Sequence, residues 1–291
     1  MLEHASRTHP GCTHDHNEDA VGSAPEHDVW LVADGMGGHA AGEVASAVAV
    51  DTIIERVGEG DDLETATVRA HQAVVKSASE NPAQNGMGST SVALRIADRQ
   101  AEIVWVGDSR AYLLRNERLQ LLTRDHSFMQ LLIQRKHLTE EQARKHPRRN
   151  VVTQVLGFND PAPDRVETLL QHGDVVLLCS DGLNDELEDG EIAELMLAGG
   201  SLEAQAGRLI DAACDQGGKD NISVVLVRYS NEDADTLQRA VGPALSGGSP
   251  QTESEEPAAP REPWLPDPVF WGIVAALAAF IIFLLLKGGG V

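Results

Sequence analysis

The sequence predicts an α+β fold, and two observations carry that expectation. Residues 90–123 (TSVALRIADRQAEIVWVGDSRAYLLRNERLQLLT) break into four strand-like pieces separated by ADRQ, GDS and NE, links of two to four residues. Links that short allow antiparallel neighbours, whereas a parallel crossover needs a dozen residues or more. Helical patterns lie on both sides of this meander without alternating regularly with strands, which separates the pattern from an α/β repeat. With 291 residues the chain is long enough to bury a full core.

Residues 29–33 (VWLVA) form an apolar run that stops at Asp34-Gly35. A helical pattern follows from about 40 to 57. Another covers 63–79, with Leu63, Ala66, Ala70, Ala73 and Val74 on one face. After a mixed, basic segment, VVLLCS (175–180) reads as a buried strand, again stopped by Asp-Gly. Helical patterns over 189–198 and 202–216 precede ISVVLVRY (222–229), the last predicted strand.

The two ends differ. The opening MLEHASRTHP lacks a basic stretch followed by an apolar run, so no secretory signal is expected. Residues 230–263 are rich in Ser, Gly, Pro, Glu and Ala and are expected to form a disordered linker, spanning roughly 30–35 Å as a flexible coil. Residues 269–286 (VFWGIVAALAAFIIFLLL) carry no charge over 18 positions. As a helix they would be roughly 27 Å long, close to the hydrocarbon thickness of a bilayer. Trp264, Trp271 and Lys287 are placed as interface anchors. The expected organisation is a globular domain over 1–229, the linker, a transmembrane helix over 264–287, and a short tail over 288–291.

Lys plus Arg number 23 against 45 Asp plus Glu, a formal net charge of −22. That argues against nucleic acid as a partner, because phosphate backbones are held by basic patches. Cys12, Cys179 and Cys214 are too few for a disulfide framework and form no CxxC pair, which fits a reducing compartment.

Three apolar strands stop at related chemistry: LVADG at Asp34, VWVGDS at Asp108 and VLLCSDG at Asp181. A fourth acid, Asp220 in GGKDNIS, directly precedes a strand. A strand end is a rigid support for a carboxylate, and an adjacent glycine lets backbone and ligand approach closely. One Asp-Gly is ordinarily a turn. Four acids in the same context, without a His/Cys quartet, suit hard divalent cations such as Mg²⁺ or Mn²⁺.

Asn17-Glu18-Asp19, VADGMGGHAAGEVAS (32–46), GMGST (86–90), VGDSRAYLLR (106–115), LTRDHS (122–127), LCSDGL (178–183) and GGKDNISVV (217–225) together make the chain similar to the metal-dependent Ser/Thr protein phosphatases of the PP2C or PPM type, bacterial members in particular. The motifs run in family order over about residues 8–229. The resemblance implies a four-layer α-β-β-α sandwich with a binuclear Mn²⁺ or Mg²⁺ site. Its ligands would be Asp34, the Gly35 carbonyl, Asp181 and Asp220, with Glu18 and Asp19 holding the metals' waters. Asp108 would help bind a third ion, and Asn150 stands where some bacterial members place another contact to it. The implied reaction is hydrolysis of phosphoserine and phosphothreonine in proteins by a water between the two ions, without a covalent enzyme intermediate. Consistent with that, no cysteine is followed six residues later by Arg. Phosphoproteins and a cognate bacterial Ser/Thr kinase are the implied partners, with the domain tethered on the cytoplasmic face.

Two positions depart from the family pattern. His14 stands where members usually place the Arg that clamps substrate phosphate, and a histidine donates most strongly only when protonated. Met36 stands where eukaryotic members have a His proposed as general acid; His39 and His126 are close in the motifs, each with a structural role as an equal expectation. Residues 124–149 correspond by position to the family's mobile flap. Their basic residues, among them Arg148 and Arg149, either solvate a helix pair or steer phosphopeptides toward an acidic molecule. Two rival readings remain in view. Gly35-Met36-Gly37-Gly38-His39-Ala40 matches a dinucleotide fingerprint, but an antiparallel meander follows it. A tethered phosphoprotein-binding module without turnover rests on His14 alone.

Overall fold

The apolar strand runs are continuous because the strands that carry them are buried on both faces. In β3 (Val29–Met36), Val29, Leu31 and Ala33 pack to one side, while Trp30 and Val32 pack to the other. The same split occurs in β10 (Val175–Cys179) and in β11 (Ile222–Tyr229). A computed structural model describes residues 1–37 and 41–231.

The remaining strands are β1 (Leu2–His9), β2 (Asp19–Ala24), β4 (Gly88–Ser89), β5 (Ser91–Ala97), β6 (Gln100–Val106), β7 (Arg110–Arg115), β8 (Arg118–Leu121) and β9 (Asp164–Leu169). One sheet has the order β1-β11-β10-β7-β8; the other has β2-β3-β5-β6-β9, with β4 paired to β3. Every pairing is antiparallel.

Three cores define the layers. Between the sheets, Trp30, Leu94, Ile103 and Trp105 meet Leu113, Leu178, Val225 and Val227. The outer face of the β3 sheet is covered by α1 (Ala41–Gly58) and α2 (Leu63–Glu80), whose Ala45, Ala49, Ile53, Ala66, Ala70 and Val74 are buried. The outer face of the β11 sheet is covered by α5 (Asp181–Asn184), α6 (Asp189–Leu197) and α7 (Leu202–Asp215), through Leu183, Ile192, Leu209 and Ile210. This is the expected α-β-β-α sandwich. Asp62 caps α2 by accepting from the Thr65 amide at 2.7 Å, and Ser201 caps α7 in the same way. Between the sheets' second hairpin and β9 lies the flap, with α3 (Phe128–Gln134) and α4 (Glu140–Arg144).

The single meander expected over residues 90–123 does not form. Residues 90–123 form two hairpins in different sheets: β5-β6 in one and β7-β8 in the other. Gly107-Asp108-Ser109 is the step between sheets. Gly107 has φ +110°, and a Cβ there would lie 2.6 Å from the Thr90 side chain, so the step admits only glycine. Ser230 still pairs with Met1, so the globular part extends into the first positions assigned to the linker. The linker from 232 onward, the span 264–287 and the tail 288–291 lie outside the described residues. Among the described residues no helix is long and apolar enough to cross a membrane.

Candidate functional site

Asp34 sits at the end of β3, directly opposite Asp19 of β2 in the antiparallel register, so two carboxylates share one face of the sheet. Its backbone is held on both sides: its amide donates to Thr90 Oγ1 at 2.9 Å, and its carbonyl accepts from the Thr90 amide at 2.8 Å. Thr90 Oγ1 is itself 2.7 Å from Ser109 Oγ, beside Asp108 at the step between sheets. Gly35 follows where the N-terminal end of α1 crosses β3. A Cβ at Gly35 would lie 2.0 Å from the Gly42 carbonyl oxygen and 2.6 Å from that of Glu18, so no side chain fits.

From the other sheet, β10 ends at Ser180-Asp181. Ser180 Oγ donates to Asp19 Oδ2 at 2.8 Å and accepts from the Ser223 amide at 3.0 Å, tying β2 of one sheet to β10 and β11 of the other. Asn221 is the second tie. Its Nδ2 donates to the carbonyls of Pro10 and His16, at 2.9 and 3.0 Å, and its Oδ1 accepts from the Glu18 amide at 2.7 Å. That side chain therefore sets the course of residues 10–18 and the position of Glu18. Ser180 and Asn221 lie within the motifs, yet the sequence alone assigns neither a role. A polar residue flanking each strand-end aspartate was the available signal.

The acids form one electrostatic cluster. Burial, then repulsion from Asp19, Asp181, Asp108 and Asp220, holds the Asp34 carboxyl well above the usual range. Asp181 is shifted in the same direction by burial and by Asp108, Asp185, Asp220 and Asp19. Asp108 is pushed up to about 7 by burial and Asp125, against the pull of Arg110. Asp19 is pushed up to about 6 by burial, despite hydrogen bonds from Ser223 and Ser180. The neighbouring cations are committed elsewhere. Arg110 grips Asp125 with two bonds of 2.9 and 2.7 Å, and Lys219 reaches Glu186 at 3.2 Å. One oxygen each of Asp19 and Asp181 is buried without a hydrogen-bond partner.

Orphaned carboxylate oxygens and unbalanced repulsion are what a hard cation site requires before it is filled. Among the described residues no three Asp, Glu, His or Cys side chains form a preassembled cage. The positive sign is the pair of orphaned oxygens on Asp19 and Asp181, since Mg²⁺-like ions keep several waters and take few protein ligands each. The residues therefore fit a hydrated divalent-cation centre.

Asp220 and His14 are about half exposed, with His14 Nε2 3.9 Å from Asp220 Oδ1, so the histidine lies at the rim of the cluster. Asn150 reaches the cluster only indirectly: its Nδ2 donates to Asp185 Oδ2 at 3.3 Å, one helical turn beyond Asp181. Arg149 lies 3.7 Å from the same carboxylate, and Lys145 pairs with Glu141, so two of the flap's charges are already engaged. Arg148 is exposed. Flap and α5–α6 enclose a cavity of about 860 Å³ that opens beside Asp108 and Asp181. His126 is structural: it is buried, its Nδ1 accepts from the Gly107 amide at 3.2 Å, and its ring stacks near Trp105. Met36 is half-buried at the end of β3, and His39 lies outside the described residues. Cys179 is fully buried in the core, as expected.

The profile of the family described as protein phosphatase 2C matches residues 12–209. The chain is 35% identical over 267 residues to the serine/threonine protein phosphatase PstP of Mycobacterium tuberculosis, covering 90% of this chain and 51% of PstP. It thus spans about half the length of that relative. It is 37% identical over 235 residues to the serine/threonine phosphatase stp of Listeria innocua, covering 76% of this chain and 93% of that one. Among solved structures, the M. tuberculosis phosphatase PstP/Ppp superposes with a TM-score of 0.74 at 34% identity, covering 79% of this chain and 99% of that chain. The PstP catalytic domain in complex with two manganese ions gives 0.72 at 32% identity, with the same coverage.

The cluster has a consequence for stability. Asp19, Asp34, Asp108 and Asp181 hold their protons to higher pH folded than unfolded, so their contribution is complete below about pH 4. It is lost as pH rises through the folded values, about 6 for Asp19 and about 7 for Asp108. The Tm of chelator-treated protein should therefore fall between pH 5 and pH 8, by about 5 °C or more, and Asp34→Asn should shrink that fall. A Tm that is flat or rises over this range would contradict the cluster.

Proposed function

This chain belongs to the protein phosphatase 2C family, and we propose that it hydrolyses phosphoserine and phosphothreonine esters in proteins with the help of two divalent cations, Mn²⁺ or Mg²⁺. The observation that carries the proposal is the convergence of strand-end carboxylates from both sheets, with buried oxygens of Asp19 and Asp181 left without a hydrogen-bond partner. Asp34, Asp181, Asp220 and the Gly35 carbonyl would hold the two ions; Asp108, with Asp181, would hold a third. When bound, such ions lower the pKa of a water and offset charge on the phosphoryl oxygens. Glu18 and Asp19 orient water from positions fixed by Asn221 and Ser180. His14, at the rim beside Asp220, donates to a phosphate oxygen from the solvent side. The family resemblance of PstP, whose catalytic domain has been seen with two manganese ions, supports the choice of cofactor.

The companion proposal concerns location and pathway. The uncharged stretch 269–286 supports a single C-terminal membrane anchor over 264–287, with the phosphatase domain on the cytoplasmic side and a bacterial Ser/Thr kinase as its opponent.

Hydrolysis of p-nitrophenyl phosphate by the full chain should require Mn²⁺ or Mg²⁺. Asp34→Asn and Asp181→Asn should each lower kcat by about 100-fold or more, the scale expected for loss of a metal ligand. In the same assay His14→Arg should lower KM several-fold, because a guanidinium binds phosphate in a two-pronged fashion. Absence of turnover with any divalent ion would remove the enzyme reading in favour of a binding module. For the anchor, the full chain should stay with membranes through an alkaline carbonate wash, while a chain ending at residue 231 should be released. Recovery of the full chain in the soluble fraction would contradict it.

A further inference from the structure

Two of the three cysteines meet behind the site. Cys12 is exposed on the segment that leads to His14 and Glu18; Cys214 is partly buried in the last turn of α7, which leads to Asp220. Cys12 Sγ lies 3.9 Å from the Cys214 carbonyl oxygen. Both pack on Gly218, where an added Cβ would be 2.9 Å from Cys12 Sγ and 3.2 Å from the Cys214 Cα. The two segments are already stitched together: the Cys12 amide donates to the Gly218 carbonyl at 2.6 Å, and Thr13 Oγ1 donates to that of Lys219 at 2.7 Å. A proton acceptor is present. His9 Nδ1 accepts from the Gly11 amide at 3.1 Å, so it is the unprotonated ring nitrogen, and it lies 3.6 Å from Cys214 Sγ.

We propose that Cys12 and Cys214 form a site of reversible oxidation, closing an intramolecular disulfide when the protein meets a hydroperoxide. In the first step the Cys12 sulfur takes an oxygen from the peroxide: an S–O bond forms, the O–O bond breaks, sulfur loses two electrons, and the alcohol or water leaves with the thiol proton. In the second step Cys214 sulfur attacks Cys12 sulfur. The S–S bond forms, the S–O bond breaks, and hydroxide leaves as water with the proton passed from Cys214 by His9. The order follows from exposure. Burial, then the adjacent Cys12 thiol, pushes Cys214 up to about 11, which makes it the resolving partner rather than the first target. Cys179, buried and pushed up to about 12, is an internal control. The bridge would lock the segment carrying His14 and Glu18 to the one carrying Asp220.

The test is to treat reduced full chain with stoichiometric hydrogen peroxide, block the remaining thiols, and record intact mass and a non-reducing peptide map. The expected result is one blockable thiol instead of three, a Cys12–Cys214 linked peptide, and loss of about 2 Da before blocking, all reversed by dithiothreitol. Because the bridge closes a loop of some two hundred residues, the oxidised protein should also melt about 5 °C or more higher than the reduced one. Cys12→Ser should abolish both effects. Sulfinic acid at Cys12 with Cys214 still free, or a Cys12–Cys12 dimer in place of the internal link, would overturn the proposal.

Discussion

Repulsion among buried carboxylates is the constraint on which the rest of this molecule turns. Asp19, Asp34, Asp108, Asp181 and Asp220 are brought together from both sheets, and each raises or shares the others' electrostatic cost. A fold that needed only stability would not place them there, because like charges taken from water oppose folding unless a counter-charge arrives. Arg110 and Lys219, which flank Asp108 and Asp220 in sequence, are held by Asp125 and Glu186 instead. Among the described residues neither supplies the counter-charge, which a divalent cation would bring.

The sandwich supplies the rigidity that such a centre requires. Asp34 is fixed by the Thr90 main chain and hydroxyl, Asp108 by a glycine step between the sheets, and Asp19 by the Ser180 hydroxyl that bridges them. Asn221 holds three backbone groups of residues 10–18 and so joins Glu18 to the turn that bears Asp220. These ties are neutral, so they orient the acids without cancelling them. Where a basic side chain does approach, it comes from the periphery: His14 at Asp220, and Arg149 at Asp185.

Much of this was legible in the sequence, for definite reasons. β3, β10 and β11 are buried on two faces, so their apolar runs stand out, and the acids that end them mark the site. β1, β2 and β9 were not read as strands. β1 and β9 are sheet-edge strands with mostly exposed side chains, and β2, also at an edge, is built largely from small residues. Short links could not distinguish one meander from two hairpins in facing sheets, because the choice depends on Gly107's left-handed turn and its contact with Thr90. Asn221 and Ser180 were invisible as ties because their partners are 43 to 211 residues away in sequence. His126 lies next to the site in the motifs, yet its ring faces inward and serves the Gly107 step.

The central claim is that the cluster exists to exchange protons for divalent cations. It is tested most directly by titrating Mn²⁺ into the metal-free full chain at pH 6 in two buffers of different ionisation heat. Binding should release at least about one proton per chain, since Asp108, pushed up to about 7, retains its proton at that pH until an ion displaces it. Mn²⁺ binding with no proton release, or no binding at all, would contradict the account.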